Sequence, residues 1–191
     1  MFIMLIFSGF IVFGKEFLLI WVGEGYTEAY YVAIVVMIPF SVDLAQNLAL
    51  AILQVKKQYG FRAKIYLLSA MINVVTTVIL ASYFGIIGAA ISTGLSMFIT
   101  SGMIMNWYYL KKVSLDIVKF WKESFKVIAA SMAIMILALL IKKYMSWNSA
   151  GLLQLGMQIL LFASIYVCMM YKFIMTSEER KQILAFVKRK L

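Results

Sequence analysis

An all-α, polytopic membrane protein is the fold class this sequence predicts, and three observations predict it. Hydrophobic residues make up 64% of the 191 residues, well above the roughly half-apolar usage of soluble domains. Mean hydropathy is +0.96. Only 14% of residues are charged, and they gather between apolar blocks instead of alternating along helix faces. Backbone groups in hydrocarbon must pair within their own segment, so apolar blocks of about 20 residues span as helices. Six spans can be drawn, at about residues 1–21, 28–54, 59–84, 86–110, 124–143 and 151–173.

The first block carries no charge before Lys15 and has neither a basic flank nor a small-residue cleavage site, so it reads as a mature span and not a signal peptide. A natural first helix usually has a charged cytoplasmic flank. The expectation is therefore that this sequence is the C-terminal part of a longer chain. Trp21, Gly23, Tyr26, Tyr30 and Tyr31 follow at the outer interface, where indoles and phenols gather. Gly23 and Gly25 suit a tight reversal.

The second block, 28–54, holds Pro39 and the chain's one deeply placed charge, Asp43. If the block is one helix, Asp43, Gln46, Asn47 and Gln54 share a face, at offsets of three, four and eleven. A membrane helix turns such a face to a bundle interior or an aqueous cavity, because an unpaired carboxylate near the bilayer centre costs about 2.5–3.5 kcal/mol on insertion scales. Two roles fit Asp43: a cavity-lining or ion-coupling carboxylate, or a structural hydrogen-bonding group. The sequence leaves both open, while Gln46 and Asn47 fit the structural role better. Pro39 removes one backbone hydrogen bond and should kink the helix.

The third block has Asn73, Thr76 and Thr77 near its middle. Gly85 and Gly88 allow a very short hairpin into the fourth block, where Gly88 with Ser92 and Ala89 with Thr93 repeat small residues at four-residue spacing, as close helix packing wants. Residues 111–126 form a basic connector whose apolar members Val113, Ile117, Phe120 and Trp121 recur at helical spacing, so it should lie along the cytoplasmic interface. Two further spans occupy 127–173, with Gln154 and Gln158 among few polar groups. A basic cytoplasmic tail, 174–191, follows, with a helix start near Ser177 and Glu179.

The net charge of +10 is better explained by topology than by nucleic-acid binding. Lys56, Lys57, Arg62 and Lys64 flank the second loop, and Lys111, Lys112, Lys119, Lys122 and Lys126 the fourth. Lys172, Arg180, Lys181, Lys188, Arg189 and Lys190 lie at the C-terminal end, leaving Lys15, Lys142 and Lys143 for the other side. That asymmetry places the even loops and both termini in the cytoplasm. Cys168 is the single cysteine, which excludes an internal disulfide. Histidine is absent, which removes the commonest metal ligand and general base. Glu24, Glu28 and Asp116 are scattered, so a membrane-embedded enzyme of lipid-linked sugar assembly lacks the clustered carboxylates it would need. No cofactor or metal is expected.

The order of these features resembles the C-terminal half of oligosaccharide flippases, the O-antigen and capsule-repeat transporters of the MATE-like superfamily. The resemblance rests on Phe17-Leu18-Leu19-Ile20-Trp21-Val22-Gly23 with Tyr26 and Ala29, then on Pro39, Gln46 and Leu53-Gln54 before Lys56 and Lys57. Asn73, Gly85-Ile86-Ile87-Gly88-Ala89-Ala90 and Thr93 complete a series that covers about residues 13–105. It implies two six-helix lobes around a central cavity, often followed by two extra helices. By orientation the six spans match the ninth to fourteenth helices, so residues 1–110 would be part of the C-terminal lobe and an N-terminal lobe would be missing. It further implies a polyprenyl-pyrophosphate-linked oligosaccharide as substrate, flipped across the cytoplasmic membrane for surface polysaccharide synthesis, with polysaccharide assembly proteins as possible partners. Of cavity or ion-coupling candidates, Asp43, Gln46, Asn47 and Asn73 are present, although Asp43 matches no diagnostic family position. Trp21, Gly23, Tyr26, Pro39, Gly85 and Gly88 are the structural motif positions. The alternatives are a drug or cation exporter of the same superfamily and a non-catalytic scaffold or half-transporter that needs a partner.

Overall fold

The computed structural model describes residues 1–55, 57, 59–113, 116–144, 151–175 and 180–181, without the side chains of Leu48 and Tyr59. Every long element among them is helical, and no strand is present among the described residues. The protein is an all-α polytopic membrane protein. Helix α1 is Phe2–Trp21. A 3-10 turn, Glu24–Tyr26, follows the reversal at Gly23, whose φ of 100° only glycine adopts freely. Helix α2 is Thr27–Ala45 and α3 is Asn47–Val55. Helix α4, Tyr59–Met97, is interrupted at Gly85, with φ 60° and ψ −140°.

That interruption is the expected hairpin. The 54-residue apolar stretch Gly60–Val113 is more than twice what one crossing needs, and side chains pair across it. Ser92 Oγ donates to Asn73 Oδ1 at 2.9 Å, Thr76 and Ser92 hydroxyls lie 2.6 Å apart, and Ser69 Oγ donates to Ser96 O at 3.3 Å. The two arms therefore run antiparallel, which gives six membrane-length segments from five apolar helical stretches. The second arm continues as π-helix over Phe98–Met105, one α-helical turn α5 at Asn106–Tyr108, and π-helix again over Tyr109–Val113. Helices α6, Ile117–Tyr144, and α7, Leu152–Phe173, complete the described chain.

Two expectations need correction here. Block 28–54 is not one helix. The chain passes through Pro39 without interruption and breaks seven residues later at Gln46, whose backbone N–H caps α2 on Asp43 O at 3.1 Å. The apolar face of the basic connector is also not free for the membrane interface, because Val113 and Ile117 are buried and Trp121 packs beside them against Leu53, Met105 and Tyr109. The proposed helix start at Ser177 and Glu179 lies outside the described residues, as does Lys56.

The chain divides into two compact units. One, Trp21–Trp121, contains α2, α3, the α4 hairpin and the π-helical segments. The other combines residues 1–20 with residues 122–191. Its core is Val12, Phe13, Leu155, Phe162, Tyr166 and Met170, with Phe13 and Phe162 edge to face at 5.7 Å. In that unit Lys142 Nζ pairs with Glu16 Oε1 at 3.0 Å and donates to Val12 O at 2.7 Å.

Candidate functional site

Asp43 is two residues from the C-terminal end of α2, where the helix's last carbonyls have no intrahelical donors. Its Oδ1 receives three donors. Arg62 Nη2 approaches at 3.1 Å, Ser101 Oγ at 2.8 Å, and the Tyr66 hydroxyl donates as well. Arg62 is shared further. Its Nη2 also donates to the Tyr66 hydroxyl at 3.1 Å and its Nη1 to the Tyr109 hydroxyl at 3.3 Å, and its guanidinium lies 4.8 Å from the centre of the Tyr66 ring. Arg62 and Tyr66 are one helical turn apart on the first arm of α4, which is why both reach the same carboxylate.

The pair is largely shielded, with the Arg62 and Asp43 side chains 11% and 16% exposed. Removing two charges from water is costly, and the planar guanidinium offsets that cost with several oriented N–H donors. Depth matters too. Counted from Thr27 at 1.5 Å per residue, Asp43 lies about 24 Å along α2, close to the far edge of a hydrocarbon core about 30 Å thick. Asp43 is thus near the C-terminal end of the apolar stretch Glu24–Ala45, towards the loop flanked by Lys57, Arg62 and Lys64.

Beside the pair, Gln46 is 1% exposed. Its Nε2 donates to Ser101 O at 3.0 Å and to Asn106 Oδ1 at 3.1 Å. Asn106 Oδ1 also accepts from Trp121 Nε1 at 3.1 Å, and Asn106 Nδ2 donates to Gly102 O at 2.6 Å. Asp43 and Gln46 therefore meet in one network centred on Ser101. Asn47 and Gln54 do not join it. The break at Gln46 turns both outward to exposed positions, so the shared face derived from a continuous helix does not exist.

Asn73 belongs to a separate set, where its Oδ1 accepts from Thr77 Oγ1 at 3.0 Å and from Ser92 Oγ. Of the motif positions, Trp21 and Tyr26 are 69% and 57% exposed. Pro39 is buried against the second hairpin arm at Gly94, where a Cβ would come within 3.7 Å of Pro39 Cγ. Gly85 forms the reversal and Gly88 its close contact. Residue patterning missed Arg62, which counted only as a loop charge, together with Tyr66, Ser101, Asn106 and Tyr109. The i, i+4 spacing of Arg62 and Tyr66 is the one local signal that could have pointed to them. No cluster of three metal-ligating side chains exists among the described residues.

The chain is 33% identical over 107 residues to a protein of Haloferax volcanii described as a probable low-salt glycan biosynthesis flippase, Agl15. The match covers 54% of this chain and 22% of that protein, so the chain spans about a fifth of its relative's length. No protein-family profile matches the chain. No solved structure matches it either.

Proposed function

We propose that this chain is part of a membrane transporter that flips a polyprenyl-pyrophosphate-linked oligosaccharide across the cytoplasmic membrane. The carrying observation is the 107-residue similarity to the probable glycan biosynthesis flippase. It is supported by the motif series around Trp21, Pro39 and Gly85 and by the membrane-length apolar helices. On this proposal residues 1–110 form part of the C-terminal lobe of a two-lobe, MATE-like transporter, and an N-terminal lobe supplies the rest of the pathway. The even loops and both termini face the cytoplasm. Asp43, with Arg62, is the ion-coupling or gating pair at the cytoplasmic end of the lobe, and no catalytic group is required.

The test has two parts. The first is the reading frame upstream of the Met1 codon, which should continue through further apolar spans. A stop codon and ribosome-binding site immediately upstream would defeat the lobe assignment. The second reconstitutes the product of the whole reading frame in liposomes with a short lipid-linked oligosaccharide and measures how fast the glycan becomes accessible to an added glycosidase. Transport above protein-free liposomes is expected, and Asp43→Ala should lower it more than it lowers membrane insertion. No transport by correctly inserted protein would overturn the proposal, and equal loss of both in the variant would make Asp43 structural.

A further inference from the structure

Ser101, Met105, Tyr109 and Val113 are all buried, at a strict spacing of four. In an α-helix that spacing drifts by about 40° per step, or about 120° over the series, and would carry Val113 well round from Ser101. π-helical turns close i→i+5 and admit more residues per turn, so they cancel the drift. Phe98–Met105 and Tyr109–Val113 are π-helical. This register brings the Ser101 hydroxyl to Asp43 and the Tyr109 hydroxyl to Arg62.

Wide turns of this kind are rare and sit at functional sites more often than elsewhere, so something must favour them over the α-helix. Two side chains, those of Gln46 and Asn106, reach into the first one. Gln46 Nε2 donates to the carbonyl of Ser101, inside the wide turn, and Asn106 Nδ2 donates to the next carbonyl, that of Gly102. Gln46 also holds Asn106 in place through Oδ1. Only the donor end of the Gln46 carboxamide is used. Its Oε1 is buried with no hydrogen-bond partner among the described residues, a loss that the two bonds from Nε2 offset.

We propose that Gln46 is a positioning residue that sets the π-helical register of Phe98–Met105 and thereby presents Ser101 and Tyr109 to the Asp43–Arg62 pair. Its backbone N–H is fixed on Asp43 O, so the residue that sets the register is anchored to the carboxylate that the register serves. Without the amide, the wide turn relaxes towards the α-helix, and everything C-terminal to it rotates by about 100°, one α-helical step. Each residue then takes the place of the one after it. Lys112 moves into the buried place of Val113, and Val113 moves out. The inference is independent of the flippase proposal, because its readout is the accessibility of side chains and not transport.

The experiment uses the protein with Cys168→Ser, which removes the single native thiol, and a second substitution, either Lys112→Cys or Val113→Cys. Reaction with a water-soluble maleimide is followed in detergent. With Gln46 present, position 112 should react and position 113 should not. Gln46→Leu removes the donor, and Gln46→Glu keeps the shape but sets two acceptors against Ser101 O and Asn106 Oδ1. In either variant the order should reverse, with position 113 gaining at least tenfold in rate and position 112 losing it. A Ser101→Ala control, which keeps the carbonyl bond, should retain the original order. If both Gln46 variants keep that order, Gln46 does not set the register. If both positions react in both variants, Gln46 is a packing residue only, and the inference falls equally.

Discussion

Asp43 and Arg62 form a charge pair whose members depend on each other. A shielded carboxylate that loses its cation keeps its desolvation cost without its partner, and breaking such a pair typically costs about 3–5 kcal/mol. Arg62→Ala should therefore destabilise strongly, and so should Asp43→Ala, because it strands a guanidinium held by the Tyr66 and Tyr109 hydroxyls. Replacing both should cost less than the sum of the single changes. Thermal denaturation of the four proteins in one detergent gives that coupling energy directly. An additive result would mean the two side chains do not act as a pair. Ser92 is a neutral counterpart. Its hydroxyl meets Asn73, Thr76 and Thr77, and Ser92→Ala should cost about 1–3 kcal/mol because three polar side chains lose a partner.

The α4 hairpin depends on two glycines for different reasons. Gly85 adopts φ 60° and ψ −140°, a backbone conformation that side chains with a Cβ rarely tolerate. Gly88 is ordinary helix, but a Cβ there would collide with Leu80 O across the turn. A backbone carbonyl cannot swing aside as a side chain can, so the arms must separate. Gly88→Ala should lower the melting temperature by an amount equivalent to about 1–3 kcal/mol or more. Gly102→Ala, whose Cβ would meet only the Phe98 ring at 3.4 Å, should be nearly neutral. Equal effects would show that the arms are not packed as closely at Gly88 as the structure has them. Sequence reasoning located this turn because glycine spacing is a local signal. It missed the break in block 28–54 for the opposite reason. Pro39 announces itself, whereas the interruption at Gln46 is stabilised by Ser101 and Asn106, 55 and 60 residues away.

At the scale of the whole molecule, the membrane class was legible because it is a property of composition, and the spans because apolar length is additive along the chain. The polar network was not, since only the hairpin brings Ser101 to Asp43 and Tyr109 to Arg62. Charge asymmetry was legible, but one of its minority members has a second role. Lys142 counts against the bias, yet it is held by Glu16 and by Val12 O. Whether α4 crosses once or twice decides the topology, because it changes the parity of every later segment. If the chain reverses at Gly85, six crossings place the Gly25 turn and Gly151 on the same side of the membrane. If α4 crossed only once, they would lie on opposite sides. Both glycines suit reporters, since a Cβ at either meets nothing within 4 Å. With Cys168→Ser as background, Gly25→Cys and Gly151→Cys should each react with an impermeant maleimide added outside intact cells. Neutralising Lys56, Lys57 and Lys64 while leaving Arg62 on Asp43 should then reduce both signals together, because the bias that orients the chain is weakened. Labelling of one reporter from outside and the other only after lysis would require five crossings. Unchanged labelling after neutralisation would mean that charges elsewhere, on residues 111–126 or at the C-terminal end, orient the chain.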